Sequence, residues 1–137
     1  MKINPYLGFQ GQAEEAFKFY ETVLRGKIVA NFKYADHPDA PPMPAEMRDR
    51  MMHVALQVGD SVLMGGDAPP GHNERPQGFN VNLALQDTAE AERIYAELSQ
   101  GGTITMPIQQ TFWSVRFAMF TDRFGVPWMI NCEGAKK

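Results

Sequence analysis

Large apolar side chains recur at every second position in two segments near the end of the chain, residues 115–119 and 126–130. This alternation is typical of strands that bury one face. Between the segments, Asp122 can bond the backbone two residues on, and Gly125 can adopt a positive φ without a clash. The sequence therefore predicts two strands joined by a tight turn at Thr121–Gly125.

Two other stretches show the i, i+3, i+4, i+7 apolar spacing of an amphipathic helix. The first is predicted to run from about residue 12 to 24 and to stop at Gly26, because glycine commonly ends helices. The second begins with Asp87 as its N-cap and Glu90 three residues later, and is predicted to run to about residue 99. Strand-like segments occupy residues 3–9, 27–34, 51–58, 61–65, 79–86, 103–108, 114–120 and 127–132.

Two connections interrupt this order. Residues 35–50 contain four prolines and several charges, so neither a regular helix nor a central strand is expected there. We predict a long loop that lies over the mouth of a site. Residues 67–78 form a second connection, rich in proline and glycine.

The two halves of the chain resemble each other. Leu7-Gly-Phe-Gln-Gly-Gln-Ala-Glu14 matches Leu83-Ala-Leu-Gln-Asp-Thr-Ala-Glu90, and each half reads as a strand, a helix and three strands. The matched strand before each helix makes a repeat a better explanation than chance similarity of two helices. The predicted fold class is α+β, with two tandem βαβββ modules, about 1–67 and about 78–133, in a single domain spanning 1–137.

Composition limits the partners. Net charge is −3 without a cluster of Lys and Arg, so neither nucleic acid nor membrane is expected as a partner. No apolar run approaches the ~20 residues of a spanning helix, and the start of the chain shows no signal-peptide pattern. The single cysteine, Cys132, is predicted to be a buried, inert thiol, and a cytoplasmic location fits it.

Several motifs identify a family resemblance. The segments 110–113 (Gln-Thr-Phe-Trp) and 121–131 (Thr-Asp-Arg-Phe-Gly-Val-Pro-Trp-Met-Ile-Asn) resemble the PhnB-like branch of the vicinal oxygen chelate superfamily, which includes glyoxalase I, extradiol dioxygenases and the fosfomycin and bleomycin resistance proteins. The segments 4–7, 13–16 and 62–64 match the same branch. The resemblance implies a glyoxalase-like fold, in which the two modules form a curved, incompletely closed mixed sheet around a pocket. It also implies a bacterial homodimer, and whether modules are exchanged between its chains stays open.

The resemblance further implies four metal-ligand positions, two in each module, normally occupied by His or Glu. Here these positions fall on Pro5, Met64, Asn82 and Met129. Proline has no donor atom and thioethers prefer soft ions, so a hard divalent cation is not expected to bind there. We therefore predict no family metal and no cofactor. A different metal site formed from His53, His37, His72 or Asp67 remains an open alternative.

A small organic ligand is the predicted partner. If Asn82 and Met129 face the ligand, strand alternation brings amides, methionines and His53 to the same side, with both tryptophans nearby. Such a polar, uncharged face suits a neutral or mildly polar molecule. Arg116 is a candidate to pair with an anionic ligand, and His53 is a candidate general base. The predicted ligand-binding residues are His53, Gln57, Met64, Asp67, Asn80, Asn82, Gln110, Trp113, Arg116, Met129 and Asn131.

Three functions compete, and whether the protein is an enzyme stays open. The first is a non-catalytic small-molecule binder that acts by sequestration. The second is a metal-independent or displaced-metal enzyme of lyase, isomerase or transferase type. The third is a demethylubiquinone methyltransferase, as the branch is often labelled. The Gly65-Gly66-Asp67 segment runs toward Ala-Pro-Pro rather than into a helix, so the chain lacks the Gly-rich strand-to-helix turn expected for an adenosyl cofactor.

Overall fold

The computed structural model describes residues 1–37, 42–68 and 75–134. The chain divides into two compact units, Met1–Glu74 and Arg75–Lys137, here called the first and second units. Each contains one long helix and a four-stranded mixed sheet. The predicted α+β fold of two βαβββ modules is confirmed.

The first unit runs in the order β1, α1, β2, α2, β3, β4. Its sheet has the order β1-β4-β3-β2, and only the β1–β4 pair is parallel. A 3-10 turn at Tyr34–Asp36 follows β2. The elements are β1 Tyr6–Phe9, α1 Ala13–Leu24, β2 Lys27–Lys33, α2 Ala45–Arg48, β3 Met51–Val58 and β4 Ser61–Asp67.

The second unit repeats this plan. Its sheet has the order β5-β8-β7-β6, again with the first and last strands of the unit as the parallel pair. The elements are β5 Val81–Leu85, α3 Thr88–Leu98, β6 Thr103–Gln109, β7 Arg116–Thr121 and β8 Pro127–Cys132. Asp87 caps α3 as predicted, since its carboxylate accepts the N–H groups of Ala89 and Glu90.

Each helix packs its apolar stripe on one face of its own sheet. In the first unit Phe17 is fully buried and meets the ring of Phe9 edge-on at 6.1 Å. In the second unit Tyr95 meets Phe120 edge-on at 5.9 Å. Full burial of one such side chain stabilises the fold by roughly 1.5–3 kcal/mol, so these stripes fix which sheet face the helix covers.

Gly26 does not end α1, contrary to the prediction. The left-handed residue is Arg25, with φ of 52°, while Gly26 has ordinary backbone geometry. A Cβ at Gly26 would lie only 2.5 Å from the carbonyl oxygen of Gln57. Glycine is needed here because β3 passes close to the backbone, not because the helix must stop.

The segment 35–50 is less irregular than predicted. Within its described part it holds the end of the 3-10 turn and the short helix α2, with Met47 buried beneath it. Pro44 precedes the helix, a position where its missing N–H costs nothing. Residues 38–41 and 69–74 lie outside the described residues, and with them half of the second connection. None of the described helices is long and apolar enough to cross a membrane.

Trp128 was expected in a pocket wall but is part of the core. It is 0% exposed, and its indole nitrogen donates to Asp122 at 2.8 Å. The expectation failed because the buried Asp122 carboxylate accepts the indole N–H. The main reason for a tryptophan to remain partly exposed to solvent is then removed. Cys132 is buried, as predicted.

Candidate functional site

The site candidates lie on the sheet face opposite the helix, which we call the helix-free face of each unit. Residues directly paired on neighbouring strands share a face, so the strand register assigns the members of each face. In the second unit the register joins Asn82 of β5 to Met129 of β8. The same line continues to Met119 of β7 and then to Met106 of β6.

Met106, Met119 and Met129 thus lie side by side on three adjacent strands, and we call them the methionine row. All three are half-buried. Paired residues on antiparallel strands have Cα atoms about 4.5–5.5 Å apart, so the three methionine side chains project from neighbouring positions of one face. Met129 was predicted as a ligand contact from its position alone; the other two were not named.

A second line of side chains runs beside the row. Asn131 of β8 pairs with Ala84 of β5 on one side and with Phe117 of β7 on the other. The ring of Trp113 meets Phe117 edge-on, with centroids 5.3 Å apart. Trp113 is 49% exposed, so its indole borders this line while much of it stays accessible.

Asn131 has an unsatisfied side chain. Its Oδ1 is buried and has no hydrogen-bond partner, the one such side-chain oxygen or nitrogen found in the described ranges. A buried acceptor without a partner costs about 1–3 kcal/mol. Native structures retain such atoms mainly where a water, an ion or a ligand completes the hydrogen bond.

The helix-free face of the first unit carries His53. Phe32 is its register partner on β2, with rings 5.6 Å apart, and Tyr6 stacks on it at 5.9 Å. Met64 on β4 pairs with both Tyr6 and Ala55, and Gln57 is an exposed member of the same face. The predicted residues His53, Gln57 and Met64 therefore do lie on one face.

Tyr6 is the titratable group most affected by this surface. Its hydroxyl donates to the carbonyl oxygen of Met52 at 3.1 Å. Partial burial raises the pKa of the Tyr6 hydroxyl, and the charge of the nearby Tyr34 would raise it further. This side chain is therefore a neutral donor at physiological pH.

Asp67 is on the helix-covered side, and its carboxylate is fully engaged. Oδ1 accepts the backbone N–H of Gly11 at 2.7 Å and of Ala13 at 3.0 Å, and Oδ2 accepts that of Met51 at 2.9 Å. With Asp67 only 4% exposed, the carboxylate holds the start of α1 and the start of β3 to the end of β4. Asp67 was predicted to be a ligand contact, but the structure uses its carboxylate to hold these three backbone N–H groups instead.

Arg116 also lies away from the helix-free face. Its Nε donates to Glu92 of α3 at 2.9 Å, and its Nη1 donates to the Val115 carbonyl at 2.8 Å. Asn80 precedes β5 and Gln110 follows β6, both exposed. The structure thus brings together Asn82, Trp113, Met129 and Asn131 in the second unit, but not Arg116.

The donors at the family metal positions do not fit a divalent cation. In the first unit Pro5 precedes β1, and its carbonyl accepts the N–H of Met64 at 3.0 Å, so the two positions are neighbours. In the second unit Asn82 and Met129 are direct register partners. The adjacency agrees with the expected geometry of paired ligands, whereas the chemistry of proline, amide and thioether does not.

No cluster of three or more His, Cys, Asp or Glu side chains occurs within residues 1–37, 42–68 and 75–134. His37 is exposed at the end of the 3-10 turn, and His53 is surrounded by rings. His72 lies outside the described residues.

The fold and the site are those of a glyoxalase-like protein. Comparison with known proteins identifies the superfamily. The family model of the Glyoxalase/Bleomycin resistance protein/Dioxygenase superfamily matches residues 2–130, and the chain belongs to that superfamily. Protein YjdN of Escherichia coli (strain K12) is 32% identical over 139 residues, covering 96% of this chain and 95% of YjdN. The superfamily membership predicted from the motifs is confirmed.

Two solved structures are similar over nearly their whole length. Protein PA1353 from Pseudomonas aeruginosa is 42% identical, with a TM-score of 0.89 over 98% of this chain and 99% of that one. A protein from Bacillus cereus, titled putative 3-demethylubiquinone-9 3-methyltransferase, PhnB protein, is 24% identical, with a TM-score of 0.80 over 96% and 99%. The second likeness shows the fold.

Proposed function

We propose that this chain is a small-molecule-binding protein that works without the metal site of its superfamily. The observation that carries the proposal is the pairing of Asn82 with Met129, at the place where the family would hold its metal in the second unit. Pro5 beside Met64 repeats the same loss in the first unit. A donor set of this kind leaves binding, rather than Lewis-acid chemistry, as the function of these faces.

The composition of the two helix-free faces supports a neutral ligand. The second unit offers amides, thioethers and aromatic rings, and the first offers aromatic rings around His53. Arg116, the candidate for an anionic ligand, is instead engaged by Glu92 on the other face. These surfaces match the binding of an organic molecule by packing and a few hydrogen bonds.

A methyltransferase function has less support. Gly65 and Gly66 lie inside strand β4, and a Cβ on Gly65 would sit 2.7 Å from the Leu7 carbonyl and from the Phe17 ring. Gly65 therefore permits close packing of β1 and α1 on β4, and Gly66 permits the close approach of the Met52 carbonyl of β3. A glycine-rich loop for an adenosyl cofactor would need them in a turn between a strand and a helix. The methyltransferase title belongs to the Bacillus cereus protein, whose likeness concerns the fold.

A cytoplasmic homodimer is part of the proposal. Strands β2 and β6 are edge strands of their sheets, and Val29 and Ile104 on them are 52% and 46% exposed. Exposed apolar edges are commonly covered by a second chain. Sedimentation equilibrium is expected to give twice the chain mass, and a monomer at micromolar concentration would refute this point.

The main experiment measures bound metal and ligand response separately. Elemental analysis of the purified protein is expected to show substoichiometric Ni, Zn, Mn and Fe, and thermal-shift assays with each ion are expected to show no specific stabilisation. A library of neutral metabolites and antibiotics is expected to contain compounds that raise the melting temperature. Stoichiometric metal with a clear thermal shift would overturn the proposal.

A matched variant shows that the metal assay is sensitive. Asn82→His combined with Met129→Glu restores family-type donors to two adjacent positions of the second unit. We expect this double variant to bind Zn or Ni more strongly than the parent chain, because imidazole and carboxylate are the usual ligands. If the parent binds metal as tightly as the double variant, residues 82 and 129 do not govern metal binding.

A further inference from the structure

We infer that the helix-free face of the second unit takes a flat, uncharged aromatic ligand that donates one hydrogen bond to Asn131. This inference rests on the proposed function and deepens it by naming the ligand class. It comes from three features of the same face: an orphaned acceptor, the methionine row and the Trp113–Phe117 ring pair.

The orphaned acceptor specifies a donor on the ligand. The Oδ1 atom of Asn131 is buried and has no hydrogen-bond partner among the described residues. An amide oxygen offers lone pairs only, so what completes it must carry an N–H or O–H group. Asn131 as a whole is only half-buried on this face, so a ligand lying on the face can approach its amide group.

The methionine row specifies an aromatic body. Met106, Met119 and Met129 form a strip of polarisable, flexible side chains directly beside the Asn131 line. Thioethers make favourable contacts with aromatic rings and adapt their shape to different ligands. A row of branched aliphatic side chains would give a stiffer surface, because their χ1 rotamers are restricted.

The Trp113–Phe117 ring pair forms one edge of the site. Phe117 is 6% exposed and lies opposite Asn131, while Trp113 packs on it edge-on and is half exposed. An aromatic ligand lying on the methionine row would meet these rings at its edge, an arrangement that the aromatic quadrupole favours.

The charges nearby favour an uncharged ligand. Arg116 belongs to the other face, where it pairs with Glu92, and the buried Asp122 carboxylate accepts three hydrogen bonds from its own turn and Trp128. The methionine row with Asn82, and the neighbouring line through Ala84, Asn131 and Phe117, carry only amides, thioethers, a ring and a methyl group. A charged ligand would lose its hydration here without gaining a counter-ion.

The test uses indole and benzofuran, which have nearly the same shape but differ in that indole has an N–H and benzofuran an oxygen. With methionine methyl groups labelled with ¹³C, NMR titration is expected to shift the methyls of the methionine row and not those of Met52 or Met64 in the first unit. Indole is expected to bind about tenfold more tightly, the usual worth of one neutral hydrogen bond.

Substitutions at Asn131 test whether its side-chain oxygen causes the affinity difference between indole and benzofuran. Asn131→Ala is expected to lower indole affinity to that of benzofuran while leaving benzofuran unchanged. Asn31→Ala, on the exposed strand β2 of the first unit, is the matched control and should change neither. If the amide NMR signals of the alanine variant lose their dispersion, that variant is unfolded. Asn131→Leu, which is closer in volume to the parent, then replaces it in the test.

Several outcomes would overturn the inference. Equal affinity for the two probes, a preference for benzofuran, or shifts confined to first-unit methionines would each do so. Silver(I) bound stoichiometrically at the row, with no response to indole, would instead mark a soft-metal site. Stoichiometric divalent metal would defeat the proposed function itself. Binding of other library compounds without discrimination between indole and benzofuran would defeat this inference alone.

Discussion

The indole nitrogen of Trp128 donates a 2.8 Å hydrogen bond to Oδ2 of Asp122, six residues earlier in the chain. Oδ1 of the same carboxylate accepts the backbone N–H groups of Phe124 at 2.8 Å and Val126 at 3.0 Å. Asp122 is 3% exposed and Trp128 is 0% exposed. One buried carboxylate therefore fixes both the β7–β8 turn and the largest side chain of the second unit's core.

Replacing Asp122 with Ala is expected to lower the free energy of unfolding by about 3 kcal/mol, because three donors lose their acceptor in a buried site. Urea denaturation followed by tryptophan fluorescence measures the loss. Asp60→Ala, in the exposed β3–β4 turn, should stay within about 0.5 kcal/mol of the parent. Equal losses in the two variants would contradict the role given to Asp122.

Gly65→Ala is expected to destabilise the first unit by about 1–3 kcal/mol, the usual cost of overpacking. The added Cβ would lie 2.7 Å from the Leu7 carbonyl oxygen and from the Phe17 ring. Gly8→Ala, on neighbouring strand β1, is the matched control, because its Cβ would meet nothing within 4 Å. Denaturant midpoints of the two variants check the difference, and a neutral Gly65 variant would show that β1 and β4 are less closely packed than described.

Stability is expected to fall as pH rises above about 10, the ordinary tyrosine pKa. Burial raises the pKa of Tyr6, so in this range the folded protein keeps the Tyr6 proton while the unfolded chain loses it. The unfolded state then binds fewer protons, and the free energy of unfolding decreases with pH. Because Tyr6 is 54% exposed, the effect is expected to be small.

The Tyr6 contribution is isolated by comparing the parent with Tyr6→Phe. Urea midpoints measured from pH 8 to about 11 should decline less steeply in the variant, since one linked proton is removed. A parallel absorbance titration near 295 nm of the variant should lack one tyrosine that ionises above the ordinary value. Identical slopes in the two proteins would argue against a raised pKa for Tyr6.

Arg116→Ala is expected to leave ligand affinity unchanged and to cost at most about 1 kcal/mol of stability, because its partner Glu92 is also partly exposed. Glu92→Ala should give a similar small loss, as the two side chains form one pair. Calorimetric titration with any compound found by the library screen provides the affinity. A large loss of affinity in the Arg116 variant alone would return that residue to the binding site.

Local patterns in the sequence predicted most elements. The helix spacing placed α1 and α3 to within a residue or two, Asp87 was correctly identified as a cap, and β3 and β8 have the predicted bounds. These features depend on residues close in sequence, whose periodicity is visible directly. Strand ends were less certain: β1 begins only at Tyr6, and β4 continues to Asp67 because that residue anchors three N–H groups.

The candidate site was harder to predict, since it depends on register. Alternation separated Phe117 from Arg116, but it could not show which of the two shares a face with Asn131. The pairing of Met106 with Met119 crosses strands that carry register shifts on both sides, and no local pattern contains that information. Asn131 was named from the sequence, whereas its lack of a partner depends on the packing around it.

The parallel pairing of β1 with β4, and of β5 with β8, also sets the order of events during synthesis. In each unit the first strand finds its partner only in the last one, and Asp67, which secures the start of α1, lies at the very end of β4. The helix and hairpins of a unit can form early, but closing the sheet requires contacts between residues far apart in sequence, which form slowly. A ribosome that stalls before residue 67 would therefore leave the first unit with an unpaired edge and an unanchored helix, a species that chaperones recognise.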